Sequence, residues 1–137
     1  MIRNANYSDE ELIRVAQGNA MIMCYNKSSD LRVGAAIACK SEGEGSGYDI
    51  YIGSLVSIGE SGPIISAEIN AGLKAVGDGR LIFDKIAVYS NEENYKPSRE
   101  TLLFLKEFAA KDFQILTLDE EDHTIRKSLG DYEGVNV

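Results

Sequence analysis

Glu68, in "IISAEINAG", is the residue of this chain best placed to move a proton. It stands in the first turn of an expected helix, where a carboxyl at a cleft can serve as general acid or base. The same position suits a glutamate that only complements the positive end of the helix dipole. Ser66, two residues earlier, and Ser98 and Thr101 in "KPSRETLLFL" place hydroxyls at two helix starts. Such groups can line a polar pocket or help to hold an anion. Serine is equally a preferred N-cap, so Ser66 and Ser98 also read as caps and nothing more. No nucleophilic triad forms around them, because His123 is the only histidine and spacing gives it no partner. Cys24 and Cys39 lie in apolar patterns and read as small buried hydrophobes, not as a disulfide framework.

The elements that must position these residues follow from periodicity. Ser8-Asp9-Glu10-Glu11 is a capping box, and Leu12, Val15, Ala16, Ala20 and Met23 recur behind it at helical spacing to about Tyr25. In "LRVGAAIACK", Leu31, Val33, Ala35, Ile37 and Cys39 alternate on one face of a strand. "SEGEGSG" is a hairpin connection and "YDIYIGSLVS" the returning strand. A helix carrying Ala67, Ile69, Leu73, Ala75 and Val76 then stops at Gly77-Asp78-Gly79. "DKIAVYS" is a buried strand, and Pro97 opens the helix "SRETLLFLKEFAAK" with Leu102, Leu105 and Phe108 on one face. "FQILTL" is the last clear strand, followed by a short helix around Thr124 to Leu129 and a loose tail. The order α-β-β-α-β-α-β, a hairpin and then two crossovers, implies a mixed sheet with helices on its faces in one domain over residues 1–137. Ligands of such sheets sit near strand ends and the starts of following helices, where Ser66 and Ser98 stand.

Bulk properties narrow the partners. The 137 residues carry a formal charge of −8, and the 14 Lys and Arg are scattered. A surface that acidic repels a phosphate backbone, so no nucleic acid polymer is expected. No apolar run reaches membrane-spanning length, and "MIRNANYSDEEL" has no signal-peptide core, so the expected location is the cytoplasm, away from membranes. "DEEDH" and Arg99-Glu100 read as solvated charge, and "GEGSG" opens no helix that could cradle a phosphate.

Together "LRVGAAIACK", "YIGSLVS", "GPIISAEINAGLKAV" and "KIAVYSNEENYKPSRETLLFL" resemble the cytidine deaminase and blasticidin-S deaminase family over nearly the whole chain. The loop "SNEENYKP" and the Gly-Pro before Ser66 are nearest to the blasticidin-S branch. The resemblance implies a three-layer α/β/α sandwich with a mixed sheet. It also implies chemistry at two helix starts, Cys-Ala-Glu (His in relatives) and Pro-Cys-x-x-Cys, whose three ligands hold a zinc that activates water while the glutamate shuttles protons. Here the ligand positions fall on Ser66, Ser98 and Thr101, while Glu68, Ala67 and Pro97 remain. Neutral hydroxyls do not replace thiolates for zinc, so no metal and no cofactor is expected. The ribose-binding Asn and Glu fall on Leu55 and Ser57, and an aromatic beside the base falls on Leu31.

Three functions follow. The first is a pseudoenzyme binding a nucleoside-like small molecule through Ser66, Ala67, Ser98, Thr101, Leu31, Leu55 and Ser57. The second is a metal-free hydrolase of a carbon–nitrogen bond with Glu68 as catalytic base. The third is a structural or regulatory subunit, since family members associate and the resemblance implies a homo-oligomer or a pairing with an active paralogue.

Overall fold

The computed structural model describes residues 1–43 and 45–132. Strand β1 (Ile2–Ala5) leads into helix α1 (Asp9–Met23), whose start is the expected capping box: Ser8 Oγ accepts from the Glu11 N–H and Glu11 Oε1 from the Ser8 N–H. Strands β2 (Tyr25–Asn26), β3 (Val33–Lys40), β4 (Tyr48–Ser54), β5 (Val56–Ser57) and β6 (Ile64–Ile65) precede helix α2 (Ala67–Gly77). Strand β7 (Phe83–Ser90), helix α3 (Arg99–Phe108), strands β8 (Ala109–Leu118) and β9 (Thr124–Lys127) and a 3-10 turn at Leu129–Asp131 follow.

The main sheet has six strands in the order β1-β4-β3-β7-β8-β9 and is mixed, with β7 and β8 parallel and the other neighbours antiparallel. Alternation along β3 splits the core in two. Val33, Ala35, Ile37 and Cys39 pack with Ala67, Ala71, Ala75, Leu102 and Leu105 of α2 and α3. Ala36 and Ala38 pack with Leu12, Ile13 and Ala16 of α1. The result is a three-layer α/β/α sandwich, as expected. A small separate sheet, β2-β5-β6, lies beside the start of α2.

Close packing rests on small residues. A Cβ at Gly34 would lie 2.7 Å from the Ala20 nitrogen and closer still to the Ala16 carbonyl oxygen, so α1 sits directly on β3. The inner face of α2 is Ala67, Glu68, Ala71, Gly72 and Ala75. This corrects the expected stripe, because Leu73 is exposed, as is Met23 at the end of α1. The returning strand also breaks at Leu55, giving β4 and β5 in different sheets.

Three further corrections concern the ends of the chain. "IRNA" is an edge strand on β4, secured by the Asn4 N–H donating to Asp49 Oδ1 at 2.9 Å. Ala109–Lys111 belongs to β8 and not to the helix before it. Thr124–Lys127 is a strand paired antiparallel to β8 from Leu118↔Thr124 to Ile115↔Lys127, not a helix. Asp119 Oδ1 closes the intervening turn by accepting the N–H groups of Glu121 and His123, both at 2.8 Å. The expected tail beyond residue 132 lies outside the described residues.

Candidate functional site

Two helices begin side by side, each with a serine at its N-cap. Ser66 Oγ accepts the Ile69 N–H at 3.1 Å, and Ser98 Oγ accepts the Thr101 N–H at 3.1 Å. The caps are then joined. Ser98 Oγ donates to Thr101 Oγ1 at 3.0 Å, and Thr101 Oγ1 donates to Ser66 Oγ at 3.0 Å. Thr101 is fully buried. The structure thus brings Ser66, Ser98 and Thr101 into one hydrogen-bonded chain, and each serine caps its helix while taking part in it.

Glu68 enters the same region from the first turn of α2 and is completely buried. The Tyr95 hydroxyl donates across its carboxyl, at 2.9 Å from Oε2 and 3.2 Å from Oε1. Burial pushes the Glu68 carboxyl above its ordinary pKa, against the opposing pull of its own backbone N–H and of Tyr95. The Tyr95 phenol is pushed up as well, by burial and then by the charge and hydrogen bond of Glu68. Tyr132, just past the 3-10 turn, is raised by burial and then by the charge of Glu68. Neither tyrosine is singled out by sequence pattern. Tyr95 is an aromatic in the polar loop before Pro97, and that contrast is the one signal available.

The remaining candidates divide. Ala67 and Leu55 are buried in the apolar cluster that also holds Tyr132, and Leu31 and Tyr95 pack against it. Ser57 is not part of the hydroxyl chain; its Oγ lies 3.3 Å from Ser28 Oγ. A groove of about 690 Å³ at the carboxyl ends of β7 and β8 reaches Tyr95, but Ser66, Glu68, Ser98 and Thr101 do not line it. Chemically, the site can hold one proton on Glu68, shared with a phenol, beside a chain of saturated hydroxyls.

These residues do not fit zinc. Tetrahedral zinc with bonds of roughly 2.0–2.3 Å spaces its ligand atoms about 3.3–3.8 Å apart and needs charged or strongly donating ligands. The hydroxyl oxygens here are neutral, and both bonded pairs stand 3.0 Å apart. Cys39 is buried in the core, where burial pushes its thiol up to about 12. Cys24 is half-buried and free, and its Sγ contacts the Leu31 carbonyl. His123 is exposed at the β8–β9 turn beside Asp119. Among the described residues no three His, Cys, Asp or Glu side chains gather in a way that could hold a metal ion.

Comparison with known proteins gives the fold. No protein-family model matches the chain, and no curated protein matches it. Solved structures do. A cytidine deaminase from Burkholderia pseudomallei matches with a TM-score of 0.76 at 21% identity, covering 91% of this chain and 95% of that one. A cytidine deaminase from Mycobacterium tuberculosis matches with a TM-score of 0.66 at 19% identity, covering 92% and 94%. One from Mycobacterium leprae gives 0.64 at 13% identity, covering 88% and 94%. The chain therefore has the cytidine deaminase-like fold over most of its length.

Proposed function

We propose that this chain is a pseudoenzyme on the cytidine deaminase-like fold: it does not carry out zinc-dependent hydrolytic deamination. The observation that carries this reading is the Ser98–Thr101–Ser66 hydroxyl chain at the positions where the resemblance places the metal ligands. A metal-free hydrolase with Glu68 as base fits less well. Its raised pKa suits a proton carrier, but the carboxyl is fully buried under Tyr95 and no nucleophile is assigned to it. A nucleoside-like small molecule is the ligand class we propose, because the solved structures compared above are cytidine deaminases. Its entry at Glu68 requires Tyr95 and the turn bearing Tyr132 to move. We place the protein in the cytoplasm as a homo-oligomer; no described helix is long and apolar enough to cross a membrane.

The test is metal analysis of the purified protein together with a cytidine turnover assay and a cytidine titration. We expect no stoichiometric zinc and no turnover. One equivalent of tightly held zinc, or turnover that disappears in Glu68→Gln, would overturn the reading. Saturable cytidine binding supports the ligand class, and its absence removes that part alone.

A further inference from the structure

The segment between β7 and α3 is fastened at its two ends. The Arg32 N–H donates to Asn91 Oδ1 at 2.8 Å, and Asn91 Nδ2 donates to the Asp30 carbonyl at 2.9 Å. At the other end Ser98 caps α3 and joins the hydroxyl chain. Between these anchors, among the described residues, only the Tyr95 hydroxyl hydrogen-bonds residues 93–97 to another part of the molecule. Its acceptor is the Glu68 carboxyl, so one side chain ties the segment down. Asn94, directly before it, turns with a φ of 63°, a left-handed conformation that asparagine tolerates.

Tyr95 is also a partition. It lines the groove of about 690 Å³ formed largely by residues 88–95 and 117–122, which Glu68 does not line. Behind it Glu68 is completely buried, and the Tyr95 ring packs against the apolar cluster that holds Leu55, Ala67 and Tyr132. The phenol therefore supplies what a bound heterocycle would: a flat apolar body and one donor for a buried acceptor. A ring without an N–H or O–H would leave that acceptor unpaired, which is costly in a buried place. Glu92, Glu93, Asp119, Glu120, Glu121 and Asp122 line the groove, with Lys127 the one lysine or arginine among its described lining residues. An anion is disfavoured on the way in.

We propose that Tyr95 is a built-in latch: its phenol occupies the Glu68 site in the resting protein, and an uncharged ring bearing an N–H or O–H donor binds by displacing it. Residues 92–97 then lift as a flap, with Tyr132 yielding beside them, and the groove opens onto Glu68. The inference deepens the reading above and rests on it only in taking Glu68 as the place of a ligand. Metal analysis, turnover and cytidine binding test that reading; cleavage of the flap and phenol binding test the latch.

The experiment uses the full chain as wild type, Tyr95→Phe and Tyr95→Ala, with Tyr89→Phe as the control that removes another hydroxyl from the groove. Circular dichroism checks each fold. A glutamyl endopeptidase can cut the flap after the exposed Glu92 or Glu93, and the β8–β9 turn after the exposed Glu120 or Glu121, so the turn is an internal reference. Relative to the turn, cutting of the flap should rise at least about tenfold in Tyr95→Phe and stay at the wild-type rate in Tyr89→Phe. Phenol, titrated calorimetrically, should bind Tyr95→Ala at least about tenfold more tightly than the wild type, whose own tyrosine competes for the place. Benzene should bind that variant at least about tenfold more weakly than phenol does. Flap cutting unchanged in Tyr95→Phe overturns the latch, and this arm stands even where Tyr95→Ala does not fold. Phenol no tighter in Tyr95→Ala than in the wild type overturns it too, because the tyrosine then blocks no site. Benzene as tight as phenol overturns the requirement for a donor.

Discussion

The Thr101 hydroxyl donates to the Ser66 hydroxyl across 3.0 Å and so ties the first turn of α3 to the N-cap of α2. A metal site would hold the same two helix starts with ligand bonds; here a hydroxyl chain does it. Thr101→Val keeps the side-chain shape but leaves Ser98 without its acceptor and Ser66 without its donor in a buried place. The expected cost is about 1–3 kcal/mol in denaturant unfolding. Ser66→Ala should lose the same bond and about 1 kcal/mol of capping besides, so the double variant should cost less than the sum. A chelator should leave every melting curve unchanged. If Thr101→Val is as stable as the wild type, the hydroxyl chain does not hold the helices.

Glu68 should make stability depend on pH in a direction opposite to most carboxylates. Its folded pKa lies above the ordinary value, so the folded state holds the proton more tightly than the unfolded chain does. That contribution is intact below the ordinary carboxyl range and is lost as pH rises through the folded pKa. Glu68→Gln keeps the neutral form and an acceptor for Tyr95. It should melt near the wild type at acid pH and above it at neutral pH, the gap widening by about 1.4 kcal/mol per pH unit between the two pKa values. A Gln variant less stable than the wild type at neutral pH would show that the carboxylate is the form the fold prefers.

The contrast between what could and could not be read ahead of the structure follows contact range. The Ser8–Glu11 capping box, the caps Ser66 and Ser98, the β3 alternation and the stop at Gly77-Asp78-Gly79 are local, and each stands where local chemistry places it. "IRNA" and "TIRK" are half-polar and become strands only because β4 and β8 offer them free edges. The Tyr95 bond to Glu68 spans 27 residues, and the Arg80 bond to Asp49 spans 31. No periodicity signals such pairs. Ala109–Lys111 could continue the preceding helix by propensity; pairing beside β7 decides for the strand.

Asp49, on β4 between β1 and β3, is held by several donors. Arg80 reaches its Oδ2 at 2.5 Å, while Ser41 and the Asn4 N–H reach Oδ1 at 3.0 and 2.9 Å. Burial pushes the carboxyl up, but these donors together outweigh it and the net direction is down. The linked stability is therefore present above the ordinary carboxyl range and lost as pH falls through the lowered pKa. Arg80→Met leaves the buried Asp49 carboxylate with only the longer, exposed contact of Arg3 at 3.7 Å and should cost about 3 kcal/mol at neutral pH. The cost should shrink in acid, as Asp49 takes up a proton. A cost that stays constant with pH would mean that lost packing of the arginine stem, not its charge, is responsible.

Gly53 shows how tightly α2 is seated and how the site depends on that seating. It pairs with Ala35 in the sheet, and a Cβ there would lie 2.6 Å from the Ala67 carbonyl oxygen and closer still to the Ala71 nitrogen. Both obstacles are helix backbone, so the strain cannot be relieved by a side-chain rotation. Gly53→Ala should push α2 off the sheet at its first turn, which carries Glu68 and adjoins Ser66. The expected loss is about 3 kcal/mol, the upper part of the overpacking range. Gly77→Ala is the matched comparison, because a Cβ at the end of α2 meets nothing within 4 Å. That variant should gain about 0.4–1 kcal/mol by restricting the unfolded chain. Urea unfolding of the pair measures both. Because the strain falls on the turn that positions the site, Gly53→Ala combined with Thr101→Val should cost less than the two separately: a displaced α2 has already lost the Ser66 bond. Full additivity would mean that α2 absorbs the methyl without moving its first turn.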